Sequence, residues 1–148
     1  MQDLPHHYVV AASASIDSNV SLESPGLEGL ESAGPAEFGG PGDRWSPETL
    51  LVAAVADCFI LGFRAISRAA KLDWNNLSCD VVGRLERVDK VIRFTDFSIT
   101  ATLEVPEGTD ADKSMRLMGK ADKYCLITNS LLAKSHLDAR VRIAGIAA

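Results

Sequence analysis

The alternation of apolar and polar positions predicts a β-hairpin at the start of the chain. Apolar residues fall on even positions from Tyr8 to Ile16, which is the spacing of a half-buried strand. Asp17-Ser18-Asn19 is typical of a turn, and Val20 and Leu22 begin a second strand. Residues 24–46 are rich in Gly, Pro, Ser and Glu, so we expect a long loop there, with room for one short strand.

A long helix is predicted after this loop. Ser46 is a favoured N-cap, Pro47 suits the first helical position, and Glu48 suits the positive end of the helix dipole. We expect the helix to run to about Lys71. Its stretch from Leu50 to Phe63 is apolar nearly all round, which predicts burial on most faces. Because a small monomer has little chain with which to surround such a helix, this pattern also favours a dimer.

The second half of the chain returns to alternation. Residues 78–88 alternate loosely and residues 97–105 strictly, which predicts two strands joined by a turn. We expect a second helix to begin at Asp110, with a kink or a new helix start at Tyr124-Cys125. The alternation of residues 139–143 predicts a last strand. This element order is typical of an α+β fold rather than of repeated βαβ units. A length of 148 residues with 47% apolar residues fits a single domain over residues 1–148.

Composition excludes several classes of function. The net charge is -5 and the basic residues are scattered, so a nucleic-acid partner is not expected. The first residues lack the pattern of a signal peptide. The near-apolar stretch from Leu50 to Phe63 is shorter than the roughly 20 residues of a membrane span. We therefore expect a cytoplasmic protein with no membrane partner.

Three cysteines, Cys58, Cys79 and Cys125, are the candidate chemical groups. In a reducing compartment such residues are more often packed, metal-bound or catalytic than paired in structural disulfides. The chain has no CxxC motif and its three histidines are not at metal-ligand spacing, so we expect no metal site. A thiol in apolar surroundings, such as Cys58, keeps a raised pKa unless a cation or dipole lowers it, and Asp57 acts in the wrong direction. Cys125 would gain thiolate character if a helix began near Tyr124. Each cysteine alone is also explained by simple packing, which is our interpretation of Cys79.

Three segments together resemble the OsmC/Ohr family, the osmotically inducible and organic-hydroperoxide-resistance proteins. They are residues 38–51, which contain Gly-Pro-Gly-Asp-Arg-Trp-Ser-Pro-Glu; residues 53–59, which end in Asp-Cys-Phe; and residues 121–125, which end in Lys-Tyr-Cys. The combination of these features is specific: a Pro-Glu pair, a thiol ten residues after the glutamate, and a second thiol 67 residues after the first.

The resemblance implies a two-layer α+β fold, with antiparallel sheets wrapped around long central helices in an intertwined homodimer. It implies that Cys58 is the peroxidatic thiol, which attacks a peroxide and becomes a sulfenic acid, and that Cys125 resolves it as a disulfide. An external dithiol such as dihydrolipoamide would reduce that disulfide, with no metal, haem or flavin cofactor. Glu48 matches the family's active-site acid. Because ten helical residues span about 15 Å, we expect Glu48 to serve the partner subunit's site rather than its own Cys58.

The sequence also departs from the family pattern. The family's peroxidases carry an activating arginine in their N-terminal strands, whereas this chain has no Arg or Lys before Arg44. Arg44 lies in the Gly-Pro loop (residues 38–45) and is the candidate substitute cation. Leu126 stands where the family commonly has proline. Two functions stay open: a thiol-dependent reductase of organic or lipid hydroperoxides in oxidative-stress defence, or a catalytically weak OsmC-like protein that binds a hydrophobic small molecule or acts as a slow redox sensor.

Overall fold

The computed structural model describes residues 2–145, which fall into two compact units that divide between Leu50 and Leu51. The first unit holds a three-stranded antiparallel sheet of β1 (Ala11–Ser13), β2 (Val20–Glu23) and β3 (Leu30–Ser32), in that order. β3 is the short strand expected inside the long loop. The prediction of one domain over residues 1–148 stays a prediction.

The prediction of a half-buried strand over residues 8–16 is wrong in extent and in burial. β1 covers three of those residues and all three are exposed. Tyr8 is 89% exposed and Ile16 is 98% exposed. β1 is an edge strand of its sheet, and its three side chains are exposed. The periodicity therefore marks an apolar surface rather than a buried one.

The long helix, α1 (Pro47–Ala69), begins where the sequence predicted and ends two residues before Lys71. Ser46 caps it: the Ser46 Oγ accepts the backbone N–H of Thr49 at 3.1 Å. In return the Ser46 N–H donates to the Thr49 hydroxyl at 2.8 Å, so two backbone donors at the helix start are satisfied.

Burial of α1 is restricted to one stripe, so the prediction of burial on most faces is wrong. The buried residues recur every four positions and are Val55, Phe59, Phe63 and Ser67. Leu61, on another face, is 50% exposed. A single sheet packs against the helix within the second unit, and one sheet covers only one side of a cylinder. By length and composition α1 could also cross a membrane, with a mean hydropathy of 1.9, a test that core helices of soluble proteins pass as well.

The second unit is built on a mixed sheet of β4 (Asn76–Val88), β5 (Val91–Val105) and β6 (Lys134–Ile143), in that order. β4 and β5 are antiparallel, as predicted. β6 lies parallel to β5, which corrects the expectation of antiparallel sheets. The reason is the connection between them: α2 (Ala111–Lys123) carries the chain back to the end of the sheet where β5 began. The α+β class is confirmed.

The core of the second unit lies between α1, α2 and one face of this sheet. The strict alternation of β5 is confirmed, and its fully buried side chains are Phe97, Ile99, Ala101, Leu103 and Val105. Gly83 on β4 lets α1 approach closely, because a Cβ there would lie 2.7 Å from Cγ2 of Val52 and 2.9 Å from Cε1 of Phe94. This close packing holds the side of α1 that carries Phe59 against the sheet, and so determines where the neighbouring Cys58 lies.

A candidate two-thiol site

Cys58 and Cys125 line the same cavity, which has a volume of about 450 Å³. Cys58 comes from the middle of α1 and Cys125 from the segment that follows α2. The rest of the cavity wall is mostly apolar and includes Ala54, Leu61, Gly62, Leu126 and Ile127. The structure therefore brings together the two cysteines that lie 67 residues apart in the sequence.

The backbone around Cys125 is held on both sides. Its N–H donates to the carbonyl of Asp122 at 3.2 Å, and its own carbonyl accepts the N–H of Asn129 at 3.0 Å and the hydroxyl of Thr128 at 3.2 Å. The side chain is buried, at 3% exposure. These contacts hold the backbone of Cys125 in place beside the cavity that its side chain lines together with Cys58.

We expected a kink or a new helix start at Tyr124-Cys125, and the new start is wrong. α2 ends at Lys123, Tyr124 is its C-cap, and only a 3₁₀ turn (Thr128–Ser130) follows. Cys125 thus lies beyond the negative end of a helix dipole, which does not favour a thiolate there. Both cysteines are free thiols in this structure.

Two backbone N–H groups were not foreseen as part of the site. The backbone N–H groups of Ile127 and Leu126, two residues of the cavity wall, favour the anionic form of the Cys58 thiol and so lower its pKa. Neither donates to a backbone carbonyl within the described residues. Sequence reasoning missed them because a backbone donor carries no residue signature. The one available signal was that Leu126 is not a proline, so its N–H exists.

The pKa of Cys58 is raised above its ordinary value of 9.0, and burial in the apolar cavity is the main cause. The N–H of Ile127 lowers it, the adjoining Cys125 thiol raises it by hydrogen bonding and by charge, and the N–H of Leu126 lowers it. Burial outweighs the two donors because they are partial charges, whereas a full negative charge must leave water. The Cys58 thiol is therefore mostly protonated at neutral pH.

Cys79, on β4, packs against the core, as the sequence predicted. Burial raises its pKa to about 11, with smaller contributions from Asp80 and Cys125. Its side chain is not among the described lining residues of the cavity. The Cys79 thiol is therefore protonated at neutral pH.

The structure does not bring Glu48 or Arg44 into the described wall of this cavity. Glu48 is in the first turn of α1, and since the helix is continuous, ten residues separate it from Cys58 by about 15 Å. Its Oε2 atom is buried without a hydrogen-bond partner among residues 2–145. Arg44 is 3.7 Å from Glu31 and 3.7 Å from Asp43, so its charge is already shared with two carboxylates of the first unit.

Metal-ligating side chains are not clustered here. Within the described part of the chain, no three His, Cys, Asp or Glu side chains lie in an arrangement that could hold a metal ion. The cavity wall itself carries two thiols, one carboxylate and one phenol.

Comparison with known proteins agrees with this architecture. The family model described as OsmC-like protein matches residues 40–140. No curated protein matches the chain. An OsmC-like protein of unknown function from Vibrio cholerae is 18% identical, with a TM-score of 0.81 over 91% of this chain and 99% of that one.

Two solved structures with a functional name have the same fold. An organic hydroperoxide resistance protein from Legionella pneumophila is 24% identical, with a TM-score of 0.71 over 93% of this chain and 98% of that one. Another from Elizabethkingia anophelis is 19% identical, with a TM-score of 0.73 over 95% and 99% of the two chains. With more than half of its length matched by the family model, the chain belongs to the OsmC-like protein family.

Proposed function

We propose that this protein is a thiol-dependent reductase of organic hydroperoxides, with Cys58 as the peroxidatic thiol and Cys125 as the resolving thiol. The observation that carries the proposal is the pairing of the two sulfurs in one apolar cavity. Solved structures of the same fold that are named organic hydroperoxide resistance proteins support it. Oxidative-stress defence is the cellular role that follows.

The chemistry proceeds in two steps. The Cys58 thiolate attacks the terminal oxygen of R–O–O–H, the O–O bond breaks, and the leaving alkoxide takes a proton to become an alcohol. Cys58 is then a sulfenic acid, which is two electrons more oxidised than the thiol. The Cys125 sulfur attacks the sulfur of this acid, an S–S bond forms, and water leaves. An external dithiol such as dihydrolipoamide reduces the disulfide and is itself oxidised, so no bound cofactor is required.

The cavity suits an organic peroxide better than hydrogen peroxide. Its wall is formed largely by aliphatic side chains, among them Leu61, Leu126 and Ile127, which favour an apolar substituent by burial. The N–H groups of Leu126 and Ile127 stabilise the negative charge on Cys58 before attack.

A homodimer is part of the proposal. Large apolar side chains are exposed in both units, among them Tyr8, Ile16, Leu27, Leu126 and Leu132. Association with a second copy would remove such apolar surface from water. The buried, unpartnered oxygen of Glu48 supports a role for this acid in the partner subunit's site, across antiparallel central helices. We expect the protein to be cytoplasmic, without nucleic-acid or membrane partners, and to have a solution mass of about twice 15.8 kDa.

A second function is favoured by the raised pKa of Cys58. With burial raising the pKa and no cation among the described lining residues, the thiolate fraction at neutral pH is small. A slow redox sensor, or a carrier of a hydrophobic small molecule, would tolerate such a thiol. An efficient peroxidase would need activation by a group outside the described cavity wall.

Peroxide turnover distinguishes the two functions. The reduced protein is mixed with cumene hydroperoxide or hydrogen peroxide, and dihydrolipoamide is the reductant. The proposal predicts faster turnover of cumene hydroperoxide, loss of turnover in Cys58→Ser, and retention in the control Cys79→Ser. Turnover no faster than the reductant alone, or equal turnover in Cys58→Ser, would reject the reductase and leave the sensor or carrier.

A further inference from the structure

The cavity that holds the two thiols carries a formal charge, and that charge is negative. Asp57 precedes Cys58 on α1, is exposed, and lines the same cavity. Among the lining residues that the structure describes, Asp57 alone has a charged side chain. The remaining wall is aliphatic, apart from the thiols and the phenol ring of Tyr124.

A lysine beside the cavity wall does not complete an anion site. Lys123 lies beside Tyr124, with its ammonium 5.5 Å from the centre of the ring, where the attraction between cation and ring holds it. It is not among the lining residues of the cavity. A carboxylate that entered the cavity would therefore meet Asp57 without a matching positive charge on the wall.

We propose that Asp57 makes this site selective for uncharged hydroperoxides and against peroxides that carry a carboxylate, such as free fatty-acid hydroperoxides. This inference rests on the proposed function for its substrate class. The charge discrimination itself belongs to the cavity and can be measured without turnover. For two unit charges about 7 Å apart, an effective dielectric constant between 20 and 80 gives about threefold to fiftyfold discrimination. An exposed carboxylate such as Asp57 belongs near the lower end of that range.

Two alkylating reagents of similar size isolate the effect of charge. Iodoacetate is an anion and iodoacetamide is neutral, and both react with the same Cys58 thiolate. The ratio of their rate constants therefore cancels the thiolate fraction and leaves the interaction of the cavity with the charge of the reagent. The reduced full-length protein is alkylated in low-salt buffer, because salt screens the effect, and Cys58 is quantified by peptide mass spectrometry. 2-Mercaptoethanol gives the ratio for an unhindered neutral thiol.

The expected iodoacetate-to-iodoacetamide ratio at Cys58 is at least about threefold below that of 2-mercaptoethanol. Asp57→Asn should bring it to within about twofold of the small thiol. The matched control Asp112→Asn, an exposed acid on α2, should leave it low. A wild-type ratio equal to or above that of 2-mercaptoethanol would overturn the inference, as would a ratio that Asp57→Asn does not raise.

Substrate preference tests the same inference on turnover. The protein is given linoleic acid hydroperoxide and its methyl ester below their micellar concentrations, with the same dithiol. The inference predicts a higher kcat/KM for the ester, and a ratio of ester to acid that falls in Asp57→Asn by the factor seen in alkylation. Preference for the acid would overturn the inference. No turnover of either compound would reject the proposed function, and the alkylation ratio would still decide the role of Asp57.

Discussion

The reactivity of Cys58 is predicted to rise steeply with pH through the neutral range. Because burial holds the pKa of this thiol above its ordinary value of 9.0, the reactive thiolate is no more than about 1% of the total at pH 7. Raising the pH from 6.5 to 8.5 then increases the thiolate, and with it the alkylation rate, about a hundredfold. The sign follows from burial, which disfavours the charged form of an acid and shifts its titration upward.

Iodoacetamide alkylation measures this profile directly. The reduced protein is alkylated under pseudo-first-order conditions at half-unit pH steps, and Cys58 is quantified as its own peptide. Cys58→Ser controls for reaction elsewhere, and 2-mercaptoethanol controls for the pH dependence of the reagent. The rate constant should rise about tenfold per pH unit up to at least pH 8.5. A plateau below pH 7.5 would refute the reasoning, because it would require a positive group that activates Cys58 from outside the described cavity wall.

Three further predictions concern the site and its scaffold. Leu126→Pro removes one N–H group that favours the Cys58 thiolate, and it should slow alkylation of Cys58 at pH 7 by up to about tenfold. The control Leu126→Ala keeps the N–H, and its alkylation rate should stay within about twofold of the wild-type rate. Equal rates in the two variants would show that this N–H does not stabilise the thiolate. Gly83→Ala forces a Cβ against the side chain of Val52 and should lower the free energy of unfolding, measured by urea titration, by about 1–3 kcal/mol. Gly119→Ala has open space around its Cβ and should raise the free energy of unfolding by about 0.5–1 kcal/mol. Loss of stability in both variants would contradict the packing argument. Hydrogen bonds from a histidine and an arginine lower the pKa of Asp96 to about 2, so the titration midpoint of its carboxyl group in NMR should lie there. The stability that this ionised carboxylate contributes is present above about pH 4 and is lost as the pH falls towards 2. A titration midpoint near 3.8 would contradict the ion pair.

Local sequence signals predicted well where the two helices begin. Ser46 and Pro47 located the start of α1, and Asp110 located the start of α2, where its carboxylate accepts the N–H of Lys113 at 2.9 Å. In both cases the decisive contacts lie within one helical turn, so neighbouring residues determine them. The strict alternation of β5 was equally informative, because one of its faces lies entirely in the core.

Signals that depend on distant partners were less reliable. The apolar pattern of residues 8–16 indicated a strand period but not whether the strand is buried, and all nine of these residues are exposed. The all-round apolar character of α1 predicted burial that the single adjoining sheet does not provide. The direction of β6 depended on where α2 returns the chain, which no residue of β6 encodes.

The candidate site, too, was predictable from the sequence only in part. The resemblance to a family brought Cys58 and Cys125 together, which neither thiol indicated on its own. The electrostatics of the site depend on groups that converge only in three dimensions, namely two backbone N–H groups, Asp57, and the apolar wall. The absence of Arg or Lys before Arg44 was visible in the sequence, and the raised pKa of Cys58 is consistent with it.

Disulfide mapping after mild oxidation is the most direct test of a working thiol pair. The reduced protein is treated with one equivalent of cumene hydroperoxide at pH 8, unreacted thiols are blocked, and non-reduced peptides are analysed by mass spectrometry. We predict one intramolecular bond, between Cys58 and Cys125, with Cys79 recovered as a blocked thiol. A bond between Cys79 and either other cysteine, or three intact thiols after the peroxide is consumed, would contradict the account.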